Sequence, residues 1–136
     1  SVWAVNPHQS VIVMGDLNDD PFDKSCAEVL GAKKDKKDVD YHGFYNPFWA
    51  VSDKGIGSLG YRGSWNLFDQ IILSGDLVKE GNGLMYWNCL VHNLDFLTGN
   101  EGNRQGYPLR TFASGVYLNG YSDHYPTQVF LVKPVK

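Results

Sequence analysis

Apolar residues in this chain fall into short runs, punctuated by glycine, proline and acidic clusters. Residues 10–14, SVIVM, with four apolar residues in a row from Val11, predict a short buried strand. It leads directly into Gly15, Asp16, Leu17, Asn18, Asp19 and Asp20. The residues before it, from Ser1, head toward the same strand. Residues 67–74, LFDQIILS, alternate: Phe68, Gln70 and Ile72 fall on one side, Leu67, Asp69, Ile71 and Leu73 on the other. LMYWNCLVH, 84–92, predicts a further strand, and YPTQVFLVK, 125–133, a closing one. PFDKSCAEVLG, 21–31, predicts a helix, with Pro21 at its first position, acids early and Gly31 at its end. FYNPFWAV, 44–51, suits a short helix packed on a sheet. GIGSLGYRGSWN, 55–66, carries four glycines and reads as an irregular loop. Residues 93–112 form a long polar stretch of a length that is usually functional or an insertion. Strands dominate, and no repeat or low-complexity segment interrupts them.

Length and composition narrow the picture. At 136 residues there is room for one domain and not for two of usual size. A net charge of −3 sets up no overall field for nucleic acid. The basic run KKDKKD, 33–38, reads as a solvated loop. No apolar stretch approaches the roughly 20 residues that span a bilayer, and no signal peptide is visible. A start at Ser1 rather than Met suggests a processed product or an excised fragment. Cys26 and Cys89 lack metal-like spacing and are either buried thiols or a single disulfide.

The candidate chemistry lies in three acidic patches, each at a predicted strand end: GDLN at 15–18, FDQI at 68–71 and SDH at 122–124. Asp16 and Asn18 are two apart and share a side on extended backbone. Asp69 sits among Phe68, Ile71 and Ile72, and a carboxylate buried there needs a partner. Asp123 and His124 diverge unless the backbone turns. Taken singly, each patch has an ordinary explanation. Asp16 and Asn18 are common turn formers, and SDHYP suits a cap and turn before the last strand. Together and in this order they are harder to assign to turns alone.

The ordered set GDLN, FDQIILS and SDHYP resembles the endonuclease/exonuclease/phosphatase superfamily, from about residue 10 to the C-terminus. Its members include deoxyribonuclease-like nucleases, abasic-site endonucleases, neutral sphingomyelinases, inositol-phosphate phosphatases and deadenylases. YRGSWNLFDQI and GYPLRTFASGVYLNGYSDHYP also resemble a bacterial subgroup of secreted, periplasmic or surface-associated members. The resemblance implies an α/β fold of the α+β type: a four-layered sandwich of two similar halves, each a mixed, mainly antiparallel sheet with one or two covering helices. Residues 1–136 would be the C-terminal half alone, since a complete member is about twice as long.

The resemblance also implies roles. Asp16 would position or deprotonate the attacking water, and Asn18 would donate to a non-bridging phosphate oxygen. Asp123 would bind a divalent metal, Mg²⁺ or Mn²⁺. His124 would donate to the phosphate, and Asp69 would hydrogen-bond His124 and hold its ring and charge state. The whole would be a metal-dependent phosphoesterase. The half seen here would lack the metal-binding Glu, be inactive or nearly so, and expose an apolar sheet face that favours self-association or the missing half. A nuclease acting on DNA or RNA is the alternative within the family. A non-catalytic carbohydrate- or protein-binding module is the alternative outside it, with Trp49, Tyr61, Trp65 and Tyr107 as stacking aromatics. Asp19, Asp20 and Asp23 match no family position and read as turn and helix-entry residues. Arg62 and Arg110 lie in loops near the site edge, suited either to phosphate contact or to stapling a loop.

Overall fold

A computed structural model describes residues 1–79, 81 and 83–135. Its scaffold is a four-stranded sheet and a two-stranded ribbon. Strand β1 (Ile12–Asp16) lies at the edge of the sheet, followed in order by β6 (Asp69–Ser74), β3 (Phe44–Tyr45) and β2 (Ala32–Lys33). β1 runs antiparallel to β6, β6 antiparallel to β3, and β3 parallel to β2. The ribbon pairs β7 (Met85–Val91) with β10 (Thr127–Val132), also antiparallel. The class is mixed α/β, mainly antiparallel, as the sequence implies.

β6 is central because its side chains are apolar on both faces at its far end. Ile72 and Leu73, on opposite faces, are both fully buried. The core is a cluster of Phe48, Leu67 and Cys89, with Val51, Ile71, Tyr86, Val91 and Val129 against it. It ties helix α2 (Phe48–Asp53) and β6 to the ribbon. A register shift between Phe130 and Leu131 leaves Trp87 without a backbone register partner, though its ring sits edge-on to Phe130 across the ribbon. Such a bulge resets the alternation, so Tyr86 and Cys89, three apart, both reach the same cluster. Both cysteines are buried and free rather than disulfide-bonded. Burial raises the pKa of each thiol, and it likewise raises the Tyr45 and Tyr86 phenols.

Several elements differ from the sequence reading. The first strand is not buried: Met14 is 68% exposed, because β1 is an edge strand whose one face is uncovered among the described residues. Only Ser25–Val29 of the expected 21–31 helix is helical, closed by a wide Leu30 N–H bond to the Ser25 carbonyl. The cause lies upstream. The Asp20 N–H donates to Asp23 Oδ2 at 2.7 Å, locking Pro21 into a turn before the helix. Gly31 does end the helix, in the left-handed conformation that favours glycine. Residues 2–5 form a helical turn, α1 (Val2–Val5), with Ser1 Oγ accepting from the Ala4 N–H, in place of an approach to a strand. Residues 44–51 split into β3 and α2, and Asn46 Oδ1 accepts from the Phe48 N–H where they part.

The 55–66 stretch is a hairpin rather than an irregular loop. β4 (Leu59–Tyr61) pairs with β5 (Ser64–Asn66) around Arg62 and Gly63, both at positive φ. Two such residues in a two-residue turn match the twist of the flanking strands. The 93–112 stretch is pinned by short 3-10 turns at Asp95–Leu97 and Gly102–Arg104 and by a bridge from Thr98 to Pro108. A small hairpin, β8 (Phe112–Ala113) with β9 (Val116–Tyr117), follows. Residues 33–38 are exposed as expected, and Lys34 pairs with Asp53. Among the described residues, no helix is long and apolar enough to cross a membrane.

Candidate active site

Antiparallel pairing of β1 and β6 sets Asp16, the last residue of one, directly opposite Asp69, the first of the other. Both carboxylates therefore emerge at one end of the sheet. His124 arrives from the loop before β10. Ligand atoms of Asp16, Asp69 and His124 all lie within 4.8 Å of one another. Thus three residues from the three sequence patches meet.

The bonds within the trio assign different tasks. His124 Nδ1 lies 2.7 Å from Asp69 Oδ2. A carboxylate only accepts, so Nδ1 carries the hydrogen and Nε2 is left for another partner. His124 Nδ1 is 4.0 Å from Asp16 Oδ2, too far for a second bond. Asp16 Oδ1 instead accepts the Asn18 N–H at 3.0 Å. That bond holds Asn18 in the left-handed region, with φ +54°, a conformation asparagine tolerates. Asp16 is the open member, its side chain 43% exposed, against 22% for Asp69 and 23% for His124.

Ser58 organises the trio and was not singled out in the sequence. It is fully buried, and its Oγ donates to Asp69 Oδ2 at 2.5 Å. Its carbonyl accepts from the Tyr125 N–H at 2.7 Å, beside His124. Its own N–H reaches the Asn66 carbonyl at 2.8 Å. Ser58 thus fixes both the carboxylate and the loop that carries the imidazole. The requirement that Asp69 have a partner was the only sequence signal for such a residue.

Asp123 lies outside the trio. Its carboxylate accepts from Arg110 Nη2 at 2.9 Å and remains half-exposed. The other acids are structural; Asp19 stands at the helix entry as its position suggested, whereas Asp20 reaches across to residues 66 and 67. Asp20 is buried and accepts from the Leu67 N–H and from Asn66 Nδ2, each at 2.7 Å. Asp19 accepts from Ser25 Oγ at the start of the short helix. Gln70, fully buried, donates to the Asp19 and Leu67 carbonyls and accepts from Asn46. This network sets where β6 begins, and therefore where Asp69 stands.

Of the four aromatics suited to stacking, Tyr61 and Trp65 are exposed. Trp65 lies against Tyr107 and stacks on Tyr125.

Asp16 and Asp69 thus stand at one end of the sheet, with Asn18 and the Asp69-buttressed His124 in the adjoining loops. A family model described as the endonuclease/exonuclease/phosphatase family matches residues 1–133, and the chain belongs to that family. No curated protein and no solved structure matches it.

Proposed function

We propose that the protein hydrolyses phosphoester bonds, diester or monoester, by an in-line water with a divalent cation at the site. The observation that carries this reading is the meeting of Asp16, Asp69 and His124 at one sheet end. Phosphoryl transfer needs an aligned water, positive charge, and donors toward the equatorial oxygens. Asp16 is open to solvent and braced by the Asn18 amide, which suits it to orient the water and take its proton. His124 donates Nδ1–H to Asp69 and, with hydrogen on both ring nitrogens, donates Nε2–H to a non-bridging oxygen. Asn18 adds a side-chain donor from the exposed turn.

The donor set fits a hard cation. Asp69 is committed to Ser58 and His124. Asp16 is given to the water, and Asp123 keeps a half-exposed carboxylate beside its Arg110 pair; one or two carboxylates are what Mg²⁺ usually takes. Asp123 would hold Mg²⁺ or Mn²⁺, which when bound supplies positive charge against the phosphate oxygens.

On this reading the chain is the C-terminal half of a two-half sandwich. The support is the edge position of β1 and the exposure of Ile12 and Met14 on it, with Trp87 and Leu90 exposed on the ribbon. An N-terminal half would cover such surface and bring the Glu that completes the metal site. The isolated chain is then inactive or nearly so. The test is hydrolysis of a generic phosphodiester and phosphomonoester by the protein carrying both halves. EDTA should abolish turnover and Mg²⁺ restore it. Turnover indifferent to chelation contradicts the metal dependence, and no turnover on any phosphoester favours a binding module.

A further inference from the structure

A cleft of about 610 Å³ opens between the β4–β5 turn and residues 103–110, and Asp123, next to His124 in the chain, lines it. Arg62, Arg104 and Arg110 line it too, with Asp123 the single carboxylate among its described lining residues. Arg110 is held by Asp123 at 2.9 Å. The Arg62 guanidinium is braced over the Tyr61 ring, 5.1 Å from its centroid. Arg62 also sits at φ +49° in a turn position where asparagine or glycine costs less. Folding does not call for an arginine there. Tyr107 forms a fixed wall: its ring lies so close to Gly60 that a Cβ there would meet it at 2.1 Å.

We infer that this cleft binds a phosphomonoester dianion borne by a small soluble molecule. The substrate would then carry a second phosphate close to the scissile one. The link to catalysis rests on the phosphoesterase reading; the binding does not. Three guanidiniums less one carboxylate leave a charge of +2, matched to a dianion. Guanidinium forks pair with phosphate oxygens two at a time. The volume lies within the range of about 300–1,000 Å³ usual for small-molecule sites. Tyr61 and Tyr107 provide flat apolar surface for a sugar or ring beside the phosphate.

Isothermal titration of the protein with inorganic phosphate, at pH 8 in EDTA, tests the inference. Arg62→Asn and Arg104→Gln should each weaken binding about tenfold. Arg62→Asn places a favoured residue in the turn, so misfolding does not account for its loss. No phosphate binding, or equal binding by these variants, overturns the inference. Dimethyl phosphate, a monoanionic diester, should bind about tenfold more weakly than phosphate; equal affinity overturns the dianion assignment. Vesicles of phosphatidic acid in phosphatidylcholine should leave the protein in the supernatant. Co-sedimentation that Arg62→Asn abolishes would move the ligand to a lipid surface and overturn the soluble one. Phosphate binding abolished by His124→Ala but kept by the arginine variants would put the phosphate at the trio, and the inference fails. Should Asp16→Asn leave hydrolysis intact while the arginine variants lose phosphate, the phosphoesterase reading fails and the cleft stands.

Discussion

One oxygen of Asp69 accepts from both Ser58 and His124, so the imidazole is only as well placed as that oxygen. Asp69→Asn presents an amide that can offer N–H toward the ring and favour the wrong tautomer. It should lower kcat by roughly 10²–10⁴ with little change in KM. Ser58→Ala leaves the carboxylate charge in place but removes its anchor, and about tenfold is expected. Steady-state kinetics of the two variants in the protein carrying both halves check the ordering, and a Ser58→Ala loss exceeding that of Asp69→Asn contradicts it. Asp20 shows the structural use of a neighbouring acid. Asp20→Ala would strand the buried Leu67 N–H and cost about 3 kcal/mol, read from urea unfolding. Which acid does which task was partly legible. Spacing put Asp16 and Asn18 on one side of extended backbone, whereas Asn18 turns into the left-handed region; the resemblance separated both from Asp19 and Asp20. Ser58 was not legible, because a single serine in a glycine-rich stretch looks like any loop residue until Asp69 is brought beside it.

Among the elements, the strands with clear apolar patterning were legible and those built on turn chemistry were not. β6, β7 and β10 lie within their expected ranges because each buries a face against the Phe48–Leu67–Cys89 cluster. The β4–β5 hairpin was hidden by its glycines, and the 21–31 helix shrank because Asp20 and Asp23 close a turn on each other first. The burial of Cys26, Cys89, Tyr45 and Tyr86 has a consequence for pH. Each pKa is raised in the folded chain, so the protonated forms are favoured there. The stability they contribute is complete below the ordinary thiol and phenol values of about 8.5 and 10, and is lost as pH rises through the raised ones. Urea midpoints should hold from pH 7 to 8 and fall above about pH 9. A midpoint that rises with alkali contradicts the burial of these groups. Native thiols should also alkylate slowly at pH 7.5, and rapid reaction of both would contradict it equally.

Across the whole molecule, the exposed face of β1 and the ribbon decides how the chain behaves alone. Ile12, Met14, Trp87 and Leu90 are exposed apolar side chains on strands, the kind of surface a partner covers when it is contiguous. The isolated chain should bind a hydrophobic dye and self-associate in analytical ultracentrifugation, whereas a dye-silent monomer contradicts the two-half arrangement. The class of the fold was legible from strand content and the three motifs. The open β1 edge was legible only through the resemblance, since a continuous apolar run reads as a strand covered on both sides. The central claim is that Asp16 and His124 act on a phosphoester. It is tested most directly by kcat for a generic phosphodiester with Mg²⁺, in the protein carrying both halves. His124→Ala and Asp16→Asn should each lower kcat by at least about 10³. Full turnover in both variants would contradict the account.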